Sequence, residues 1–551
     1  MTRRAALRLL APAAGAAIVI ACGAPAVPAA PTSAPAAAPT SPPAPATASS
    51  GATPAAANAP ATPVAANAPT TPKTGGTLRI GLASEPANVD GHIRTPGSDL
   101  TYWLAFDRLI DYDDKAKPTP GLAESWDVAP DYKSVTFHLR KGVTYHSGRE
   151  FTSDDVKWNF LRVRDPKLAG STLGAYSLWW SAIETPDKYT VTLKSEQPRP
   201  TMFDSLQLFN MLDQPSMEGA DAKSSAVGTG PFVLQEWVQG DHFAFTKNKN
   251  YWKSGKPYLD GVTSRVFRGE QPAMSELEGG TIDAMRMTSV SDVVRLKADP
   301  KYTILEHPNP GTFYELGFSV PNPPFDNKVV RQAFNYAFNR QYFGQTIYKG
   351  TATPSALPWS TSSPAYEASK ANAYAFDLDK ARGLLTQAGV SGLELEVALQ
   401  TGQSLVESMM QVYQADLAKL GVKLNINVME AAAWIDRVNN VKYTGLYFSG
   451  DNNAHVNPGT LWSSSPGWRP VPANNSGWKN DQWTQLVTAL VTEPDPAKQK
   501  VMIPEMNDFV LDQSWIFAIA SNPAILVTAH TLQGLVPALY NGWFFDSATL
   551  G

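Results

Sequence analysis

The sequence predicts two α/β lobes joined by a hinge, and three stretches carry that expectation. Residues 393–399, 405–420 and 422–428 read as strand, helix and strand, a βαβ unit whose crossover requires parallel pairing. Val135-Thr136-Phe137-His138-Leu139-Arg140 alternates apolar and polar residues as a half-buried strand does. Finally, the chain is expected to leave the first lobe near Tyr314-Glu315-Leu316-Gly317-Phe318 and to return at 516–519. Two crossings make a hinge, and a cleft between lobes is a preferred place for a ligand.

The elements follow in chain order. Arg3, Arg4 and Arg8 precede an apolar run, 9–21, too short to span a bilayer. It ends Val19-Ile20-Ala21-Cys22-Gly23, a lipobox-like cleavage site in which Cys22 would accept a lipid; an ordinary signal peptide with an incidental cysteine is the alternative. Cys22 is the only cysteine among 551 residues, which favours lipidation and excludes an intrachain disulfide or a thiolate-rich zinc site. From there to residue 74 the chain is mostly Ala, Pro, Thr and Ser, which neither buries apolar surface nor forms a regular helix. A tether of about 50 residues at up to ~3 Å each reaches well over 100 Å.

Residues 75–551 are long enough for two large lobes. Without the three leader arginines, 43 basic side chains face 50 acidic ones, so the mature net charge is near −7. With no basic run, this is a poor nucleic-acid binder. No apolar run after Ala21 is long enough for a membrane helix, so the membrane is met through the lipid alone.

Thr77-Leu78-Arg79-Ile80-Gly81-Leu82 reads as the first strand. Lys141-Gly142 and Ser147-Gly148 are turns, and Thr152 or Ser153 caps a helix with Asp154 and Asp155 in its first turn. Gly228-Thr229-Gly230-Pro231-Phe232 lets backbone amides approach either a ligand or a crossing strand. The helix over 327–342 presents Val330, Ala333, Phe334, Ala337 and Phe338 on one face, and 377–389 is a helix stopped by Gly389. Two more helices are expected at 482–490 and 497–511.

Leu122-Ala123-Glu124-Ser125-Trp126, Leu139-Arg140-Lys141-Gly142-Val143, Phe151-Thr152-Ser153-Asp154-Asp155-Val156, Asn248-Lys249-Asn250-Tyr251-Trp252 and Glu278-Gly279-Gly280-Thr281-Ile282-Asp283 stand in one order. That order resembles the extracytoplasmic solute-binding proteins, family 5, of peptide, nickel and oligosaccharide ABC importers. The resemblance implies a two-lobed α/β periplasmic-binding-protein-like fold, class II type and cluster C, with an extra subdomain in the first lobe. It divides the chain into a signal peptide (1–21), a lipid-anchored tether (22–74), lobe I (75–316, insert about 119–220), lobe II (317–516) and a return to lobe I (517–551). It implies a monomer outside the cytoplasmic membrane that needs no cofactor, performs no catalysis and hands its ligand to permease subunits by hinge closure.

The local stretch that points to a ligand is Leu446-Tyr447-Phe448-Ser449-Gly450-Asp451-Asn452-Asn453, an apolar strand ending in a carboxylate and amides at a cleft edge. In peptide-binding relatives an Asp matching Asp451 pairs with the peptide ammonium; a turn-capping Asp is the alternative. Candidate ligand contacts are therefore Asp451, Ser449, Phe448, Asn452, Trp462 (the tryptophan nearest in sequence) and Gly228, Thr229 and Gly230. Dipeptide-binding members carry a basic–aromatic pair where Gln400-Thr401-Gly402 stands, which disfavours a free dipeptide and leaves an oligopeptide or, alternatively, an oligosaccharide. Fifteen tryptophans suit sugar stacking as well as core packing. The sequence presents no His-Glu-x-x-His, nucleophile elbow or P-loop, so a secreted hydrolase is the weaker reading of a different class.

Overall fold

Three sheets organise the described residues. The computed structural model describes residues 72–551 apart from 94–97, 114–116, 166–167, 169–171, 220–223, 308–311, 452–456, 471–473 and 539–541. Cys22, the leader, most of the tether and Asn452 lie outside the described residues. All that is described belongs to the compact unit Thr70–Gly551. The fold is the expected two-lobed α/β arrangement.

The first lobe is built on a seven-stranded sheet in the order Tyr302–Glu306, Ile525–Ala529, Ala284–Met287, Thr77–Leu82, Gly261–Val266, His242–Lys247 and Phe232–Val238. Thr77–Leu82 pairs in parallel with the strands on both sides of it, and its buried Leu78 and Ile80 anchor the core. Residues buried in this way each stabilise by about 1.5–3 kcal/mol.

A four-stranded antiparallel sheet, Ala123–Val128, Ser134–Leu139, Thr190–Lys194 and Ala182–Asp187, carries its own core. Val135, Phe137 and Leu139 are buried while the residues between them are half-buried, the alternation read from the sequence. Helix Ser153–Arg162 opens with a capping box between Thr152 and Asp155. Arg149 binds both Asp155 (2.5 Å) and Asp213 (2.7 Å), tying that helix to the following segment.

The second lobe holds a six-stranded sheet in the order Thr353–Pro354, Ile516–Asn522, Thr312–Phe318, Leu446–Asp451, Glu394–Gln400 and Lys423–Met429. The βαβ unit is present: Glu394–Gln400 and Lys423–Met429 pair in parallel around helix Ser404–Ala418. Its neighbouring helix Lys328–Tyr336 buries Val330, Ala333 and Phe334, and Gly389 ends another helix with φ 68°. The two crossings lie elsewhere than expected. Thr312–Phe318 and Ile516–Asn522 pair with each other in the six-stranded sheet, so the outward crossing precedes Thr312 and the return falls at Pro523 and Ala524. The cause is legible in burial: Ile516 to Ser521 is buried at every position, as a central strand covered on both faces must be.

The Gly228–Gly230 stretch packs against a crossing segment, which corrects its assignment as a ligand contact. A Cβ on Gly228 would stand 2.2 Å from the Ala105 carbonyl oxygen, and one on Gly230 would stand 2.5 Å from the Ala105 carbonyl carbon. The Gly230 amide donates to that same carbonyl oxygen (3.0 Å), and His146 meets the Gly230 carbonyl through Nε2 (3.0 Å). Thr229 donates to buried Asp107, which also receives the Trp252 indole N–H (2.8 Å). Replacing Gly230 with Ala should destabilise by about 1–3 kcal/mol through overpacking. Denaturant unfolding reads that loss, and solute affinity of the folded variant should stay unchanged.

Candidate functional site

A cavity of about 820 Å3 lies between the seven-stranded and six-stranded sheets. From the first sheet and its helices come Glu270, Gln271, Arg286, Thr288 and Ser289; from the second come Tyr314, Tyr348, Gln400, Trp434, Phe448 and Ser449. Both connecting segments line it as well, through Thr312 on one side and Asn522, Pro523 and Ala524 on the other. A volume in the range of organic-ligand pockets, walled by both lobes and by the segments that join them, suits a solute rather than a bare ion.

The polar groups are held in place. Glu270, in the first turn of helix Glu270–Glu278, accepts from the backbone amides of Thr288 (3.0 Å) and Ser289 (2.7 Å) and from the Thr288 hydroxyl (2.5 Å). That carboxylate fixes the loop after strand Ala284–Met287, where the exposed Arg286 faces the cavity. Opposite, the Tyr348 hydroxyl donates to the Tyr314 hydroxyl (3.0 Å), which also accepts from Asn522 Nδ2 (3.1 Å). The Tyr314 and Phe448 rings lie 5.6 Å apart and build an aromatic wall. Amides and hydroxyls from Gln400, Gln403, Ser404 and Thr351 complete a surface able both to donate and to accept.

Phe448 and Ser449, read from the sequence, border this cavity. Asp451 does not. Strand Leu446–Asp451 pairs with Thr312–Phe318 so that Asp451 faces Phe313 and Ser449 faces Glu315. Side chains alternate along a strand, so Asp451 shares the sheet face of Glu315, away from the Tyr314–Phe448 wall. It is 8% exposed and accepts from the Ser465 hydroxyl. Trp462 is also misplaced by the sequence reading: it is fully buried, edge-on to Trp359 (5.0 Å) and Trp483 (5.5 Å). Trp468 and Trp478 are buried in the same core. Of the residues missed, Arg286 carried a signal: it is the one charge in Ala284–Met287, whose other three residues are buried. Tyr348 and Trp434 sit in unremarkable local sequence.

Glu315 is the most perturbed carboxyl near the site. Burial, with the Asp451 charge adding to it, pushes its pKa from the ordinary 4.5 up to about 8, against hydrogen bonds from Ser449 Oγ (2.8 Å) and Trp468 Nε1 (2.6 Å). The folded state thus holds a proton that the unfolded chain releases above pH 4.5. Stability should be full below that value and fall between about pH 4.5 and 8, with a slope of up to about 1.4 kcal/mol per pH unit. Urea unfolding at pH 5, 6.5 and 8 should show this decline, and Glu315→Gln should flatten it.

Beyond the cavity, the insert touches the second lobe through Asp204. This buried carboxylate receives the Tyr112 hydroxyl (2.7 Å), the Thr460 hydroxyl (2.6 Å) and the Asn457 amide (3.2 Å). Burial raises its pKa despite those donors. Tyr176 of the insert, pushed up to about 12 by burial, bonds Ser464 of the same helix, Pro458–Ser464. Asp204→Ala removes the shared acceptor and leaves buried hydroxyls unpaired, which should cost about 1–3 kcal/mol in a urea melt.

The cavity is walled by two sheets and bordered by the segments that join them. Residues 117–468 match the family model of bacterial extracellular solute-binding proteins, family 5. The chain belongs to that family. Heme-binding protein A of Haemophilus influenzae is 30% identical over 381 residues, covering 63% of this chain and 69% of that protein. A putative ABC transporter peptide-binding protein of Brucella ovis is 29% identical over 449 residues, covering 77% and 83%. The solved structure of the binding protein AgaA of A. tumefaciens R10, in complex with agropinic acid, superposes with a TM-score of 0.74 at 26% identity, covering 86% of this chain and 99% of that one. Family 5 members thus share the scaffold while their ligands differ widely.

Proposed function

We propose that this family 5 protein captures an oligopeptide-like solute between its lobes and delivers it to the permease of an ABC importer. The observation that carries the reading is the 820 Å3 cavity, lined from both lobes by side-chain amides and hydroxyls beside aromatic rings. Such a surface pairs with peptide N–H and C=O groups while the rings cover apolar side chains. Ligand contact with both lobes favours the closed hinge, because each added contact exists only when the lobes meet. The peptide-binding relative of Brucella supports the solute class.

An oligosaccharide is less favoured. Trp180, Trp462, Trp468 and Trp478 are buried in cores, which leaves Trp434 as the one tryptophan of the larger cavity able to stack on a sugar ring. The proposal includes the extracytoplasmic setting of the family, with Cys22 as the lipid attachment point and the following Ala/Pro-rich tether as a spacer. Binding, not turnover, is its activity.

Native mass spectrometry of the full chain, before and after mild unfolding, tests it. A ladder of releasable, uncleaved peptide masses is expected; a hexose series would overturn the peptide assignment. Synthetic peptides at a hundredfold excess over Kd should then stabilise the protein by about 2.7 kcal/mol. Gln400→Ala, which removes one polar wall group, should weaken peptide binding about five-fold.

A further inference from the structure

Beside the main cavity lies a second chamber of about 370 Å3, set against the seven-stranded sheet, the helix Asp99–Ala105 and the C-terminal segment. Its wall is chemically unlike that of the main cavity. Ile80, Leu82, Leu100, Trp103, Trp543 and Phe545 surround it. Trp103 is 6% exposed, and its indole Nε1 is buried without a hydrogen-bond partner, next to Gly542, which also lines the chamber. Glu270, Arg286, Thr288, Ala524 and Ile525 line both spaces, so the chambers meet along those residues. The arrangement is a polar room opening onto an apolar one, with the polar groups of Glu270, Arg286 and Thr288 at the threshold.

We propose that the solute is amphipathic: a peptide whose long apolar side chain or acyl chain fills this chamber while its backbone lies in the main cavity. The inference rests on the reading that the interlobe cavity is the solute site. An oligopeptide with only small or polar side chains would leave the apolar wall without a partner, whereas an apolar chain removes that wall and itself from water together. At the packing density of protein interiors, about 0.75, the chamber accepts roughly 280 Å3 of ligand, the bulk of a medium-length alkyl chain or of two large side chains. Specificity would then reside in lobe I, in residues around the first strand, while the aromatic and amide wall of lobe II tolerates varied backbones.

Titration calorimetry on the full chain distinguishes the outcomes. The probes are tetra-alanine, tetra-alanine with 2-aminodecanoic acid placed at each position in turn, and straight-chain alkanoates from hexanoate to decanoate. The expected result is one alkanoate per chain, with affinity rising about three- to four-fold per added methylene, and at least one 2-aminodecanoyl peptide binding a hundredfold or more tighter than tetra-alanine. Leu100→Trp, which fills the chamber, and Leu82→Gln, which makes its wall polar, should each cut decanoate affinity at least ten-fold and leave tetra-alanine affinity within two-fold. Decanoate binding that responds to both substitutions, with no binding of tetra-alanine or of any 2-aminodecanoyl peptide, would support the chamber and overturn the oligopeptide assignment. Tetra-alanine binding with no gain from any 2-aminodecanoyl peptide would overturn the chamber and leave the oligopeptide assignment standing. A gain insensitive to both substitutions would also overturn it, because the apolar chain would then lie elsewhere.

Discussion

The constraint on which the structure turns is the pair of connections between its two large sheets. Strand Ile516–Asn522 closes its last pairing in the six-stranded sheet, and strand Ile525–Ala529 begins in the seven-stranded one, with only Pro523 and Ala524 between them. On the outward side, the His307 amide donates to the Ala524 carbonyl (2.9 Å). Each sheet has its own hydrophobic core, so the lobes are stable bodies while the joint is narrow. Motion concentrated in a few residues between packed bodies is a hinge, and the space facing that hinge is the cavity.

The same strands divide the chemistry into two faces. On Thr312–Phe318 and Leu446–Asp451, the face with Tyr314 and Phe448 meets the cavity, and the face with Phe313, Glu315 and Asp451 meets a tryptophan-rich core. A binding surface is thereby backed by a rigid, buried layer that fixes its rings, as a preorganised site requires. The Glu315 carboxyl on the hidden face ties folding stability to pH from outside the cavity.

Much of the fold was legible because burial writes a period into the sequence. The alternation at 135–140 and the βαβ unit at 393–428 appear where their patterns indicate, within a residue or two, and the helix containing Val330 to Phe334 begins as expected but ends at Tyr336 rather than running to 342. The family blocks were legible for a different reason: Asp107, Asn248 and Trp252 form one buried network, so the residues that resemble the family most are framework. The site was less legible. Phe448 and Ser449 followed from a strand end, yet Asp451, three positions beyond Phe448, lies on the opposite sheet face from that ring. Trp462 drew attention as the tryptophan nearest in sequence to Asp451, but six of the fifteen tryptophans, Trp359, Trp462, Trp468, Trp478, Trp483 and Trp515, pack into one core. Tyr348, Trp434 and Gln400 meet only in three dimensions, from segments that no local pattern connects.

The central claim is that the solute sits between the two sheets and is held by both. A crystal structure of the full chain with its co-purified solute tests it most directly. The account predicts ligand density between Thr288 on one side and Tyr314 and Phe448 on the other, with atoms of both lobes within hydrogen-bonding distance. Density confined to one lobe's outer surface, or buried beside Asp451 behind the aromatic wall, would contradict it.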